Sequence, residues 1–414
     1  MTTPGAGPPR RCGPTAAALL ALLLTTGCVP DEPQVPEPAW QEIGLPAPPG
    51  PPGRIALRDA AFCDGRWYLA GGVFTTDDGD GADDALGAPV GAYPAAWTGT
   101  DGRKFESVEI RADTYWGGLA TLTSIACAAG RGRGAGVVAV GARSGGAHGN
   151  PRVTTFHGPA GGPLEDVRAA TTLFGGSEAL AVNGVTAGPE WLVTGARTTG
   201  GAVWTSEGGA RFTPHDDDPA LASGGGLDTM PADAAYDAAA GTWHVVGSAH
   251  RDGRVAPVPV AWSSADAGAW TREDVPPPEG YGSLERVVVT ARGPLAIGVA
   301  GDRFGVWRRE AGRWRAVTRF GDASARDAPG IAYVSGLAVV PGRVLATVSD
   351  GARFALWSAP DDDGPWRPVV VPETPGTGAD HLLTVAARGS EVLLLSDDES
   401  GARAWTTTWP AAEG

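Results

Sequence analysis

The sequence predicts an all-β fold, a seven-bladed β-propeller. Three observations lead to it: a recurring aromatic residue, a repeated order of short strands and turns, and chain ends that complement each other. The aromatic repeat begins seven times, at intervals of 45 to 59 residues, at Trp97, Phe156, Trp204, Trp262, Trp307, Trp357 and Trp405. A second apolar residue follows each of the first six starts after seven to nine residues. A period of this length, with strand-like sequence inside it, indicates stacked propeller blades.

One blade begins at residue 57. An apolar run over residues 57–63 ends at an Asp-Gly hairpin signal, and a second apolar run over residues 67–73 precedes a long polar loop. A third strand surrounds Trp97, and after another Asp-Gly turn residues 105–110 alternate between apolar and polar. These are four antiparallel strands, A to D, and the later repeats follow the same order.

The two chain ends complete each other. The seventh repeat lacks a D strand, because the chain ends at Gly414, soon after Trp405. Residues 40–43 resemble residues 270–273, the predicted D strand of blade four. We therefore expect the segment around Trp40 to pair with the strand that contains Trp405 and to close the ring, which would remove an open sheet edge. The alternative is that Trp40 lies in a disordered tether.

Residues 1–27 are expected to be a signal peptide. The pair Arg10-Arg11 is a positive n-region, residues 16–24 are an apolar stretch too short to span a bilayer, and Gly27-Cys28 follows. This pattern resembles a bacterial lipoprotein signal, which implies cleavage before Cys28 and acylation of its thiol. Thr25 departs from that pattern, which usually has Leu there. The alternatives are an ordinary secretory signal or a plain membrane anchor.

Residues 28–38 are expected to be a tether and residues 39–414 the propeller. Four prolines with acidic residues among them keep residues 30–38 extended, so this run cannot pack a core. The expected location is the extracytoplasmic face of the cell membrane, with the lipid as the only membrane contact. The formal net charge is −15 and Lys104 is the only lysine, which argues against nucleic acid as a partner. The composition is similar to that of high-GC actinobacterial proteins, and a monomer is expected.

Two cysteines remain outside the leader and the acylation site. Cys63 and Cys127 each end the A strand of a neighbouring blade, at matching positions. The matched register and an oxidising compartment favour a disulfide between them. The alternative is two buried free thiols.

The turns between the C and D strands carry a family resemblance. Residues 205–212 resemble the Asp-box of sialidase-type (BNR) propellers, with Glu207 in the place of the aspartate. Residues 98–105 keep the spacing of that box, and residues 264–270 keep its key residue types but are one residue short. In the family this box lies at the turn between the third and fourth strands, away from the active centre. The resemblance therefore implies a fold and does not imply catalysis.

The sialidase-like group also supplies the alternative function, a glycoside hydrolase or lyase. Such enzymes use three arginines for a carboxylate, a Tyr-Glu nucleophile pair and an acidic aspartate. Arg54 resembles the start of the family's early Arg-Ile-Pro motif, and Arg58 and Arg286 lie near starts of A strands. Tyr281 has Glu285 close to it in sequence. No complete catalytic set can be assigned, so catalytic residues are predicted as none and an enzyme is the less favoured hypothesis.

Ligand binding is predicted at the central mouth, where the loops from D strands to A strands meet. These loops are rich in glycine, which lets backbones approach the axis, and four of the five conspicuous ones carry an acid soon after the glycines. In this interpretation the acids face a cation or sugar hydroxyls, and the aromatic residues offer a surface to a sugar or peptide. The alternative is that the acids cap turns in solvent. The candidates are Tyr115, Trp116, Glu178, Asp228, Tyr281, Glu285, Asp380 and His381.

A metal site is possible in one loop of blade one. Asp78, Asp80 and Asp83 lie among glycines, and dense carboxylates of this kind can wrap Ca²⁺. The loop lacks the full calcium-loop pattern, and a solvated acidic loop is the favoured interpretation. No other cofactor is predicted. The favoured function is a lipid-anchored binding or assembly module for a protein or glycan ligand.

Overall fold

The computed structural model describes residues 37–75, 91–130, 135–145, 150–170, 172–324, 330–361, 363–378 and 380–410. Every described element belongs to one compact unit, Pro36–Gly414. That unit contains seven separate β-sheets, which confirms the predicted all-β fold of seven blades. Within the described residues, no helix is long and apolar enough to cross a membrane.

The strands are numbered in chain order and fall into seven consecutive groups. Blades one to three, with the N-terminal strand, comprise β1 (Gln41–Ile43), β2 (Arg54–Cys63), β3 (Arg66–Thr75), β4 (Gly91–Gly99), β5 (Glu106–Ser107), β6 (Ile110–Arg111), β7 (Thr121–Ala128), β8 (Gly136–Gly145), β9 (Asn150–Gly158), β10 (Leu164–Asp166), β11 (Ala179–Ala187), β12 (Trp191–Arg197), β13 (Gly200–Ser206) and β14 (Thr213–His215). A short helix α1 (Tyr115–Leu119) precedes β7, and a 3-10 turn (Gly176–Glu178) precedes β11.

The remaining blades follow the same order. Blades four to seven comprise β15 (Leu227–Asp237), β16 (Thr242–Arg251), β17 (Val258–Ser264), β18 (Thr271–Glu273), β19 (Arg286–Thr290), β20 (Gly293–Ala300), β21 (Arg303–Glu310), β22 (Arg313–Phe320), β23 (Ala332–Val340), β24 (Arg343–Asp350), β25 (Phe354–Pro360), β26 (Arg367–Val369), β27 (Leu382–Arg388), β28 (Glu391–Asp398) and β29 (Gly401–Thr408). Neighbouring strands within a blade are antiparallel. Blade two departs from the predicted four strands, because β6 adds to it beside β10 in a parallel pairing.

The first strands of the blades form the inner ring. Each of β2, β7, β11, β15, β19, β23 and β27 contacts the next one round, and β27 returns to β2. Between the sheets lie the repeated aromatic residues, and Trp97, Trp204 and Trp262 have no exposed surface. Rings of this size bury much apolar area per residue, so they supply a large share of the stability between blades.

The N-terminal strand β1 lies in the sheet of blade seven. It pairs antiparallel with β29, and Glu42 is opposite Trp405 in that ladder. Ile43 is 5% exposed and packs with Leu393 and Ala404 of the last blade. The Trp40 indole Nε1 also donates a hydrogen bond of 3.0 Å to the carbonyl oxygen of Val370.

Short polar side chains order the turns between the C and D strands. In blade one, the Asp101 carboxylate accepts hydrogen bonds from the amides of Arg103 and Lys104. In blade four, Asp266 accepts from the amides of Gly268 and Ala269 in the same way. These amide hydrogen bonds lower the pKa of both carboxyl groups, because they favour the charged form.

A disulfide joins the A strands of blades one and two. Cys63 and Cys127 are bonded, with their Cα atoms 5.8 Å apart. The predicted pairing is therefore confirmed, and the separation lies within the range that a disulfide spans without backbone movement.

Candidate functional site

A central channel runs through the ring, and all seven inner strands line it. Its volume is about 580 Å³. Each inner strand contributes a polar side chain to the wall: Arg58, Ser124, Asn183, Asp233, Arg286, Ser335 and Thr384. Five of these strands have a β-bulge at or beside that residue. A bulge interrupts the alternation of a strand, so it can direct a polar side chain toward the axis.

Polar side chains also join each blade to the next at this level. The Asp59 carboxylate accepts hydrogen bonds from the Ile125 amide and the Ser124 hydroxyl, at 2.9 and 3.1 Å. Ser124 Oγ accepts in turn from the amide of Val185, and the Asn183 side chain donates to the carbonyl oxygen of Pro231. We call the complete set of such contacts the inter-blade belt.

The belt continues through the other blades. The Asp233 carboxylate accepts from the Val287 amide at 2.9 Å, and the Glu285 carboxylate accepts from the Val334 amide at 2.6 Å. The Ser335 hydroxyl donates to the carbonyl oxygen of Leu383. An ion pair completes the circle between blades seven and one, where Asp397 binds Arg58. The described channel acids thus have partners on a neighbouring blade.

The acids of the belt hold their protons more strongly than usual. Burial raises the pKa of Asp59 to about 6, although hydrogen bonds from two amides and Ser124 act against it. Burial likewise raises the pKa of Asp233 and of Glu285. Arg286 opposes the rise at all three carboxyl groups through its charge. The positive charge of one guanidinium therefore favours the ionised form of three acids from three blades.

Backbone carbonyl groups hold Arg286 in place. Its Nη1 donates to the carbonyl oxygen of Glu285 at 2.8 Å, and its Nε donates to that of Ser335 at 3.3 Å. No ion pair within 4.0 Å is formed between Arg286 and the described residues. Its charge is therefore compensated at longer range, and part of its donor capacity faces the channel.

A second charged group occupies the mouth between blades seven and one. Asp397 is fully buried; Arg58 and Arg54 both bind it, Arg54 at 3.0 Å. Burial raises the pKa of Asp397, and the two arginines act against this rise. Asp380, which is half-exposed, lies 3.8 Å from Arg58 and 4.0 Å from Arg54. This arrangement places the half-exposed carboxylate of Asp380 beside two guanidinium groups that are mostly buried.

Two tyrosines stand near these charges. Tyr281 is 45% exposed, and burial together with the charge of Glu285 raises its pKa. Burial also raises the pKa of Tyr333, whereas Arg286 and Arg58 act to lower it. Tyr333 therefore lies within electrostatic reach of both arginines and of Glu285.

The structure brings together only some of the mouth residues that the sequence predicted. Tyr281, Glu285 and Asp380 belong to the mouth clusters described above. Tyr115, 72% exposed, forms an edge contact with Trp116 at 5.0 Å in helix α1. The guanidinium of Arg152 lies 5.8 Å from the Trp116 ring.

The other predicted acids are engaged by neighbours or by solvent. Glu178 forms an ion pair of 2.6 Å with Arg197. Asp228 is exposed on β15. His381 Nδ1 lies 2.7 Å from the carbonyl oxygen of Gly376 and Nε2 lies 3.9 Å from Glu399. The acids thus do not form a ring of free carboxylates around the axis, since arginines bind Glu178 and Asp380.

Sequence reasoning missed Asp59, Asp233, Asp397 and Tyr333. A signal for the first two exists: Asp-Ala-Ala followed by an aromatic residue occurs at residues 59–62 and again at residues 233–236. Each copy lies just after a bulge in an A strand, where the aspartate reaches the next blade. Asp397 and Tyr333 have no comparable local signal.

Two predicted sites lie outside the described residues, namely the acidic loop with Asp78, Asp80 and Asp83, and the acylation site Cys28. Within the described part of the chain, no group of three or more His, Cys, Asp or Glu side chains is arranged to hold a metal ion.

Comparison with known proteins shows likeness of fold. No protein-family model matches the chain, and no curated protein matches its sequence. The periplasmic gluconolactonase of Pseudomonas aeruginosa is 12% identical, with a TM-score of 0.48 over 85% of this chain and 88% of that one. A putative 6-phosphogluconolactonase of Bacteroides fragilis is 13% identical, with a TM-score of 0.46 over 81% and 92%.

The β-propeller domain of the Trilobed protease of Pyrococcus furiosus is 10% identical, with a TM-score of 0.45 over 87% of this chain and 99% of that one. At such identities these likenesses concern the fold alone and carry no activity. The seven sheets, whose inner strands form a closed ring, define the class of this chain as a β-propeller protein.

Proposed function

We propose that the chain is a non-catalytic binding or assembly module that takes a protein or glycan ligand at the mouth of its central channel. The observation that carries this proposal is the inter-blade belt. Asp59, Asp233 and Glu285 each accept a hydrogen bond from an amide of the next blade. A carboxylate held in this way stabilises the ring and has fewer oxygen lone pairs left for chemistry.

Features suited to ligand binding lie on the face where D strands lead into A strands. Tyr281 exposes a large ring there, and Asp380 is half-exposed beside two arginines. Aromatic surfaces and arginines are common anchors in recognition sites. A rigid ring also presents them without a large cost of ordering on binding.

The proposal also covers the location of the protein and the class of its C-to-D turns. The protein is held at the extracytoplasmic face of the cell membrane by a lipid on Cys28, and its ordered C-to-D turns belong to the sialidase-type (BNR) Asp-box kind. The amide bonds to Asp101 and Asp266 support the second statement, since a short carboxylate in such a box caps the turn. The propeller acts as a monomer and needs no Ca²⁺.

A binding screen with mouth variants tests the function. The full chain in detergent would be applied to a glycan array and to peptides from envelope proteins. The mouth variant, Tyr281→Ala/Asp380→Ala, would be tested in parallel. Control substitutions Arg103→Ala and Arg211→Ala lie in exposed C-to-D turns on the opposite face. For a ligand that the unmodified protein binds, we expect the affinity of the mouth variant to be weaker by about tenfold or more. The affinity of the control variants should stay within about twofold of that of the unmodified protein. Equal retention by both variants would contradict the proposal.

A sialidase-like hydrolase or lyase is the second candidate. Glu285 acts to raise the pKa of Tyr333, and Arg58 and Arg286 act to lower it. A tyrosine-glutamate pair beside arginines suits a covalent glycosidase step. Turnover of a chromogenic glycoside that is abolished in Glu285→Gln, with the stability of the variant unchanged, would favour the enzyme. Turnover that persists in this variant excludes the assignment of Glu285.

A further inference from the structure

A groove between blades four and five, on the outside of the ring, shares no lining residue with the central channel. Its volume is about 1140 Å³. It is lined by the loop before β15, by strand ends of blade four, by the loop after β18 and by the C-to-D turn of blade five. Val258, Val260 and Pro276 contribute apolar wall.

Four arginines line the groove and come from three segments of chain. Arg251 and Arg254 stand in and after β16, Arg272 is on β18, and Arg313 begins β22. All four are exposed, and no described acidic residue forms an ion pair with them. Many other exposed arginines of the described chain do have such partners, as Arg111, Arg168 and Arg403 show. We call this feature the arginine groove.

The acidic residues in the groove do not cancel this charge. Glu273 is occupied by Arg309, which binds it through two nitrogens, and by the indole of Trp314. Burial acts to raise the pKa of Glu273, but hydrogen bonds from Arg309 and Ser263 outweigh it, so the net shift is downward. Asp274 is the one remaining acid among the lining residues. The groove is therefore positive on a protein whose formal net charge is −15.

The shape of the groove selects between kinds of anionic chain. Strand β18 pairs with only the residues Ala261 to Ser263 of β17, so the outer edge at Val258 to Val260 has no partner strand. Pro259 stands in the middle of this open edge and has no N–H to donate. An extended peptide that paired with this edge as an additional β-strand would lack a backbone hydrogen bond at Pro259. The groove therefore favours recognition through its guanidinium groups, which form bidentate hydrogen bonds with carboxylates and phosphates.

We propose that the arginine groove binds an anionic polysaccharide, a glycan chain that carries carboxylates or phosphates. Its volume of about 1140 Å³ leaves room for more than one sugar, and the four guanidinium groups that line it would pair with negative groups on successive sugars. This site is separate from the channel mouth and does not depend on the function proposed there.

Binding of defined polymers to the full chain tests the proposal. The probes are polygalacturonate as the carboxylate source, polyglycerol phosphate as the phosphate source, dextran as the neutral polymer and poly-glutamate as the acidic peptide. The groove variant is Arg251→Gln/Arg254→Gln/Arg272→Gln. The control variant Arg103→Gln/Lys104→Gln/Arg211→Gln removes the same charge from exposed turns elsewhere. Thermal unfolding of both variants verifies that they fold.

We expect one of the two anionic glycans to bind, with affinity that falls as salt is raised and is about tenfold weaker in the groove variant. The control variant should stay within about twofold of the unmodified protein. Which of the two glycans binds identifies the anionic group. Binding of poly-glutamate as tightly as the glycans, equal loss in both variants, or no binding of either glycan would overturn the proposal. A failed channel-mouth experiment leaves this result unaffected, because the variants differ.

Discussion

The carboxyl group of Asp59 connects two blades and faces the channel at the same time. One of its oxygens, Oδ2, accepts from both Ser124 and Ile125, and the other accepts from the amide of Ala60. Burial raises its pKa to about 6, above the ordinary value of 3.8 for an aspartate. The folded protein therefore favours the protonated form, and part of its stability is tied to that proton.

This pKa predicts how stability depends on pH. Because the folded-state pKa is the higher one, the stabilisation is complete below about pH 3.8 and is lost as pH rises through about 6. Asp59→Asn keeps an acceptor for Ser124 and Ile125 but does not titrate. Relative to this variant, the unmodified protein should lose up to about 3 kcal/mol in free energy of unfolding between pH 4 and pH 7. Urea unfolding at several pH values measures it.

Asp101 supplies a comparison of opposite sign. Amide hydrogen bonds lower its pKa, so its contribution is present at neutral pH and is lost as pH falls. The difference between unmodified protein and Asp101→Asn should therefore shrink on acidification. If the stability difference between the unmodified protein and each of the two variants changes with pH in the same direction, the assignment of the raised pKa to Asp59 is wrong.

Strand β1 is held by contacts with residues that are very distant in the sequence. It pairs with β29 across almost the whole chain, and Ile43 fills a space between residues of blades one and seven. A strand of three residues has little stability by itself, so its packing holds it in place. The last blade would otherwise expose the edge of β29.

Truncation of one side chain tests the contribution of this strand. Ile43→Ala should lower the free energy of unfolding by about 2–4 kcal/mol, because a buried aliphatic side chain leaves a cavity. Glu42→Ala, at the neighbouring exposed position, should change it by no more than about 0.5 kcal/mol. Chemical denaturation of both variants provides the measurement. A loss of no more than about 0.5 kcal/mol in Ile43→Ala as well would show that the packing of β1 contributes little to stability.

The disulfide is the other element that joins blades. It closes a loop with a sequence separation of 64, for which the chain-entropy model gives on the order of 4 kcal/mol. Cys63→Ala/Cys127→Ala should lose stability of this order, and the difference should disappear when both proteins are measured with reductant. Thiol titration of the denatured, unreduced protein should find this pair unreactive. Two reactive thiols from the pair would contradict the bond.

The ring of blades was predictable because its signals are local and repeat. Trp97 and its equivalents mark each C strand, and the turn residues between them occur at regular distances. The channel was less predictable, since Arg58 meets Asp397 only after the ring closes. No local pattern reports that meeting, and the bulges that direct Asp59 and Asp233 inward arise from pairing with the adjacent strand.

At the scale of the whole molecule, the acidic ring carries two distinct polar features. The mouth of the channel combines arginines with acids that join the blades, whereas the arginine groove on the side wall is a locally positive surface. Local charge of opposite sign to the net charge can direct an anionic chain to one place on a protein. A membrane anchor would keep both features close to the polymers of a cell envelope.

Anchoring through Cys28 is the prediction that concerns the whole molecule. The proposed lipid requires this thiol, because acylation of a lipoprotein takes place on the cysteine that follows the leader. In cells fed a fatty-acid probe, the unmodified protein should be labelled and Cys28→Ala should be unlabelled and uncleaved. Cys12→Ala is the matched control, because it removes a cysteine of the same leader and should keep the label. Label that persists in Cys28→Ala places acylation elsewhere, and unmodified protein found free in the medium excludes the anchor.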